Sequence, residues 1–217
     1  MTEAVWKMIG SGIIETLQMT VISTLLSYLI GLPIGVLLVT TSKGHILQNR
    51  VVNTVLGTIM NIVRSIPFLI LLVVLIPFTR FVTGSSIGTT ATIVPLTIGA
   101  IPIVARMVES SLKEVSSGII EAAESMGASP ASIIFRFILP EAMPSLLLGA
   151  AINLATVLGY SAMAGCIGGG GLGAIALNYG YYRYQADVLL VTVVILILIV
   201  QIFQEVGTVL AARKRHS

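Results

Sequence analysis

Long runs without a charge alternate with short charged clusters along the chain, and the runs predict membrane-spanning helices. A spanning helix takes about 20 mainly apolar residues. No charge falls between Glu15 and Lys43, which predicts a first span over 21–40. The neutral gap between Arg64 and Arg80 is short, so the second span starts earlier, near Ile59, covers 59–78 and carries Arg64 close to one end. A third span is expected over 87–106. The stretch between Glu141 and Arg183 holds a fourth over 144–165, followed by a glycine-rich segment, and the fifth covers 188–207. The expected fold class is therefore all-α: one polytopic membrane domain over 1–217 with five transmembrane helices.

Composition removes the alternatives. Hydrophobic residues make up 56% of the chain, charged residues 10%, and mean hydropathy is +1.02. A soluble domain carries roughly 25% charged residues, so this chain could not coat a water-facing surface. Disordered chains are polar and charged, which excludes disorder too. Cys166 is the only cysteine and His45 and His216 the only histidines, so neither a disulfide nor a His-rich metal centre is expected. The net charge of +3 forms no basic stripe, and no nucleic-acid partner is expected. The basic residues instead set orientation. With the C-terminus inside, Lys43, Arg50, Lys113, Arg136, Arg213, Lys214 and Arg215 fall on the cytoplasmic side and only Lys7, Arg80 and Arg183 outside. The positive-inside rule favours that arrangement, N-terminus out and C-terminus in. A first span that starts this late and runs this long argues against a cleaved signal peptide.

The loop between the third and fourth spans, 113–142, is the most informative segment. Its chemistry describes two short helices. Ser116 or Ser117 can cap the first, Ile119, Ala122 and Met126 share a face, and Gly127 suits a left-handed stop. Ser129 followed by Pro130 opens the second, whose Ile133, Ile134, Phe137 and Ile138 share a face and which should end before Pro140. An amphipathic hairpin of this kind fits a groove on a partner or lies on lipid headgroups.

The residues of this loop resemble the EAA loop of the permease subunits of bacterial ABC importers. Glu121-Ala122-Ala123 is followed after three residues by Gly127, and after nine more by Phe137, one residue, and Leu139-Pro140. Phe137 stands where the family pattern has isoleucine. The likeness extends over nearly the whole chain. RSIPFLILL at 64–72, IPFTR at 76–80, ARMVE at 105–109, GYSAM at 159–163 and GGGGLG at 168–173 are similar to the methionine-type permeases, and permeases for polar amino acids share the loop and the short layout. The resemblance implies that Glu121, Ala122, Ala123, Gly127, Phe137, Leu139 and Pro140 form a coupling helix docked to a separate ATPase. It also implies a homodimer of this subunit, two ATPase subunits inside, an external solute-binding protein, and a bacterial inner-membrane location among lipid. By the same resemblance the fourth span lines the pathway, which makes Tyr160 and Met163 candidates, with plain helix packing as the alternative. The chain itself is expected to be no enzyme and to hold no cofactor or metal. It contains no Gly-Lys pair and hence no phosphate-binding G-x-x-x-x-G-K loop, so ATP and Mg belong to the partner.

Three further features need a reading. Gly168, Gly170 and Gly173 match G-x-G-x-x-G, but a membrane span precedes them where a dinucleotide site needs a strand; a tight, irregular segment packing backbone against backbone or against a docked binding protein is expected instead. Arg64 either snorkels to the interface or pairs with an acid such as Glu109, which can also pair with Arg106 three residues before it. Gly31 and Gly35, with Pro33 between them, permit a close crossing or a kink, and Ala151 with Ala155 permits another close approach. The rivals are an ion-driven secondary transporter, which needs intramembrane carboxylates or histidines that no span carries well inside it, and an intramembrane enzyme, for which no catalytic constellation is visible.

Overall fold

The computed structural model describes residues 2–215; His216 lies outside them. The first helix, α1 (Glu3–Thr40), has 38 residues and starts well before the expected first span. At about 1.5 Å per residue it is far longer than the roughly 30 Å hydrocarbon core. Thr16, Thr20, Ser23, Thr24, Ser27, Gly31 and Gly35 lie on its buried face, while Ile14, Leu25 and Leu29 are exposed. That is the inverse of a water-soluble helix. In lipid, packing selects small residues against neighbouring helices and leaves large apolar ones outside.

The small face seats α5 (Thr89–Lys113), the element against which α1 packs along most of its length. A Cβ on Gly31 would lie 2.8 Å from the Val104 side chain, and one on Gly35 2.6 Å from that of Val108. The glycines thus make the close crossing, and Pro33 is accommodated inside a continuous helix. On the other side of the bundle α9 (Met143–Ala164) packs on α11 (Ala186–Arg215), where Gly207 faces Ala151 with no room for a side chain. The third, fourth and fifth expected spans overlap α5, α9 and α11; α5 starts two residues later than expected and runs seven further, α9 is shifted by one residue, and α11 extends beyond both bounds.

The second expected span is a correction. Residues 59–78 do not form one helix. α2 (Arg50–Ser65) and α3 (Phe68–Val74) meet at a bend of 101°, and α4 (Ile76–Thr83) follows. The Ile66-Pro67 pair explains the break: the ring of Pro67 disfavours helical backbone at Ile66, whose ψ is 124°. Arg64 therefore sits at an elbow rather than near the end of a straight span. Among the described residues four helices are long and apolar enough to cross a membrane, and a fifth crossing is available if the bent pair counts as one.

Glu15 lies in the interior of α1, on the turns that precede the expected span over 21–40.

Candidate functional site

The hairpin at 113–142 starts from the end of α5. α6 (Ser117–Ser125) has Ser116 at its N-cap position, but no side-chain hydrogen bond caps it. Its C-terminus stops as expected. Gly127 takes φ +74°, the Ala128 N–H donates to Ala123 C=O at 3.0 Å and the Gly127 N–H to Glu124 C=O at 2.9 Å, the paired bonds of a Schellman stop. α7 (Pro130–Ser132) is capped by the Ser129 hydroxyl, which accepts the Ser132 N–H at 3.3 Å.

The second helix does not end before Pro140. A π-helical segment at Ile133–Ile138 leads into α8 (Leu139–Glu141), so the helical path runs through the proline. The wider turn supplies the reason. The Leu139 N–H reaches back five residues to Ile134 C=O, and a π turn of this kind accommodates the proline that an uninterrupted α-helix would reject.

The hairpin's apolar residues divide between two faces, and the expectation that its apolar stripe meets a partner or lipid is corrected. Ala123, Ile133 and Ile138 are buried, and Ile120, Ala128, Phe137 and Leu139 pack with them against Val39 of α1 and Val104, Val108 and Leu112 of α5. This stripe is consumed inside the chain. Ala122 is exposed, and Met126 is 71% and Phe135 69% exposed. Glu121, Glu124 and Pro140 are exposed as well. The motif residues therefore split into an anchoring set, Ala123, Phe137 and Leu139, and an outward set, Glu121, Ala122, Gly127 and Pro140.

The loop joining α1 to α2 abuts the hairpin through Ile46. Its neighbour His45 is half-buried, and burial pushes the imidazole below its usual range; the charge of Lys113 acts in the same direction and that of Glu124 against it. Asn53 closes the corner, donating from Nδ2 to Leu38 C=O at 2.6 Å.

A second polar node ties α2 to α5. Arg106 donates to Asn61 Oδ1 at 2.7 Å and Gly57 C=O at 3.1 Å, while Glu109 accepts from both Arg106 and Lys113. Glu109 is therefore paired on its own helix, and the suggested Arg64–Glu109 pair is not formed.

Tyr160 stacks on Phe68, with ring centroids 4.0 Å apart and planes 6° from parallel. Met163 is 46% exposed and lies apart from that stack. Phe68 was not singled out by sequence; the only signal was Pro67, which marks where its helix begins. The glycine-rich run is backbone packed on backbone, the first of the two expected arrangements. Gly173 lies against the main chain of Ala162, and Gly165 against that of Ala174. The Glu15 carboxylate accepts the Gly171 N–H at 2.7 Å and Thr16 Oγ1 accepts the Leu172 N–H at 2.9 Å, fixing the start of α10 (Gly171–Ile175). Cys166 is exposed just before the run. Among the described residues, no group of three or more His, Cys, Asp or Glu is placed to hold a metal ion.

Residues 31–216 match the family described as the binding-protein-dependent transport system inner membrane component. The chain belongs to that family. Its relatives within the permease family include the "Probable D-methionine transport system permease protein MetI" of Pasteurella multocida, 49% identical over 100% of both chains. The D-methionine transport system permease protein MetI of Escherichia coli is 50% identical over 76% of each chain. Among solved permeases, a chain of the inward-facing MetNI methionine ABC transporter superposes with a TM-score of 0.97 at 47% identity, covering 99% of both chains. A chain of an amino acid ABC transporter crystallised with histidines, 23% identical, shares the fold at a TM-score of 0.78.

Proposed function

We propose that this permease is the membrane subunit of an ATP-driven importer for methionine. It works as a homodimer with two ATPase subunits on the cytoplasmic side and a solute-binding protein outside, its own N-terminus outside and C-terminus in the cytoplasm. The observation that carries this reading is the two-faced hairpin. Ala123, Ile133 and Ile138 key it into the ends of α1 and α5, while Glu121, Ala122, Met126 and Phe135 point away from the chain. A partner seated on the outer face moves the hairpin, and the buried stripe passes that motion to the spans. ATP drives the cycle only by binding two arrangements with different affinity, and the partner chain holds the ATP and Mg. The methionine assignment is supported by relatives of matching length named for D-methionine transport. Tyr160 and Met163 are proposed to border the pathway.

Co-purification and uptake test this reading together. A soluble ATPase should copurify with the permease, and Glu121→Lys, which reverses a charge on the outer face, should weaken that association or uncouple hydrolysis from methionine uptake. A reporter fused at the C-terminus should read as cytoplasmic. Uptake that persists without ATP and follows an ion gradient would sink the proposal, as would an external C-terminal reporter.

A further inference from the structure

We infer that Arg64 anchors the carboxylate of the amino acid in transit, with the Phe68–Tyr160 stack as the apolar wall beside it; this deepens the amino-acid import proposed above. Arg64 closes α2 in an otherwise apolar run, a placement that is costly in a membrane unless the charge has a use or a partner. Among the described residues no acid is paired with it, and the nearest candidate in the sequence reading, Glu109, is held by Arg106 and Lys113.

The 101° elbow turns α3 away immediately after Arg64 and leaves the guanidinium on the rim of a notch. Phe68, Gly99, Ile103 and Tyr160 form much of its lining. Gly99 is what lets the wall lie flat, since a Cβ there would come within 3.2 Å of the Phe68 ring. Phe68 opens α3, Gly99 and Ile103 belong to α5 and Tyr160 to α9, and α5 is the most buried of the candidate spans, 67% of its apolar window against 11% for α11. The notch therefore adjoins the interior of the bundle, not its lipid-facing helix. Its enclosed part, about 20 Å³, has room for roughly one water. The solute lies over the notch, in the open space that Arg64 faces.

The chemistry fits an amino acid with an apolar, polarisable side chain. A guanidinium presents parallel N–H donors that match both oxygens of a carboxylate. A thioether makes favourable contacts with aromatic rings. Nothing at the rim supplies an acid for the ammonium, so the carboxylate carries the recognition.

The test uses the purified complex of permease and ATPase subunits, without binding protein, and radiolabelled L-methionine as probe. Methioninamide keeps the thioether and ammonium but lacks the carboxylate. In the wild type, unlabelled methionine should displace the label and methioninamide should compete at least tenfold more weakly. Arg64→Gln should weaken methionine binding at least tenfold and erase the preference over the amide, and Arg64→Lys should fall between. Co-purification of the ATPase subunits reports that each variant is assembled, and the wild-type competition needs no variant. No saturable binding, equal competition by the amide, or unchanged binding in Arg64→Gln overturns the inference. Loss of copurifying phospholipid from Arg64→Gln with methionine selectivity intact makes Arg64 a headgroup anchor and overturns it as well. If vesicles import a different amino acid, the methionine assignment fails alone, and that amino acid with its amide decides the role of Arg64.

Discussion

Glu15 and Gly171 stand 156 positions apart in sequence, and the carboxylate of one accepts the N–H of the other at 2.7 Å. The bond fastens the first turn of α10 to the middle of α1, and Thr16 repeats it one residue along. Hydrogen bonds to charged groups contribute about 1.5–3 kcal/mol. Glu15→Ala should lower stability by that order and loosen the glycine-rich segment, whereas Glu15→Gln, which keeps an acceptor, should cost less. Thermal melting of the detergent-solubilised protein separates the two; equal melting of both variants and the wild type would show that the bond does not hold the segment.

The crossing of α1 and α5 leaves no room at Gly35. A Cβ there would lie 2.6 Å from the Val108 side chain and 2.7 Å from Ala105 C=O. Overpacking of this kind costs about 1–3 kcal/mol. Gly35→Ala should therefore lower the melting temperature, and adding Val108→Ala should restore only part of the loss, because it removes Cγ1 but leaves the Cβ of residue 108 and the Ala105 carbonyl in place. Full restoration would place the whole conflict on the γ-methyl of the valine.

Gly127 poses the opposite case. Nothing lies within 4 Å of a Cβ built on it, yet its φ is +74°. The cost of Gly127→Ala is then purely conformational, about 1–2 kcal/mol. Hydrogen exchange should speed up at Ala128, whose N–H closes the stop on Ala123, while exchange in α9 stays as it was. Unchanged protection at Ala128 would contradict this.

His45 sets a pH dependence. Its imidazole is pushed down in the folded protein, chiefly by burial and next by Lys113, against Glu124. The unfolded chain titrates near the ordinary value of about 6.5. Below that value the unfolded state takes up a proton that the folded state resists, so stability present above about pH 6.5 is lost as pH falls through the lowered folded-state value. Melting temperature should drop between pH 7.5 and 5.5, and His45→Gln should lessen the drop. An identical drop in both proteins would remove His45 from the effect.

Much of this arrangement could be read from the chain. The apolar runs located α5, α9 and α11, and the hairpin's stop at Gly127 and cap at Ser129 followed from local chemistry that needs no tertiary context. The misreadings have separate causes. Hydropathy registers the solvent around a helix and not its neighbours, so a first span trimmed at the last charge lost the turns of α1 that carry Lys7 and Glu15. The proline rule predicted a stop at Pro140, but a π turn accommodated the missing N–H. At Pro67 the same rule was not applied, and there it held, producing the elbow. Periodicity gave each hairpin helix one apolar face, Ile119, Ala122 and Met126 on the first, without saying which residues would be spent internally. Ile120 and Ala123 were, and Met126 was not, because the ends of α1 and α5 meet the hairpin from one direction only. The Phe68–Tyr160 stack joins elements distant in the chain and had no local signature.

The single thiol of the chain, Cys166, has a practical corollary. A fluorophore or spin label attached by maleimide chemistry lands at one defined address, on the short turn between α9 and the glycine run, without any prior mutagenesis to clear competing thiols. Labelled before the ATPase subunits are added, the permease would carry one probe per copy, and spectral changes recorded during turnover would report on that neck of the polypeptide.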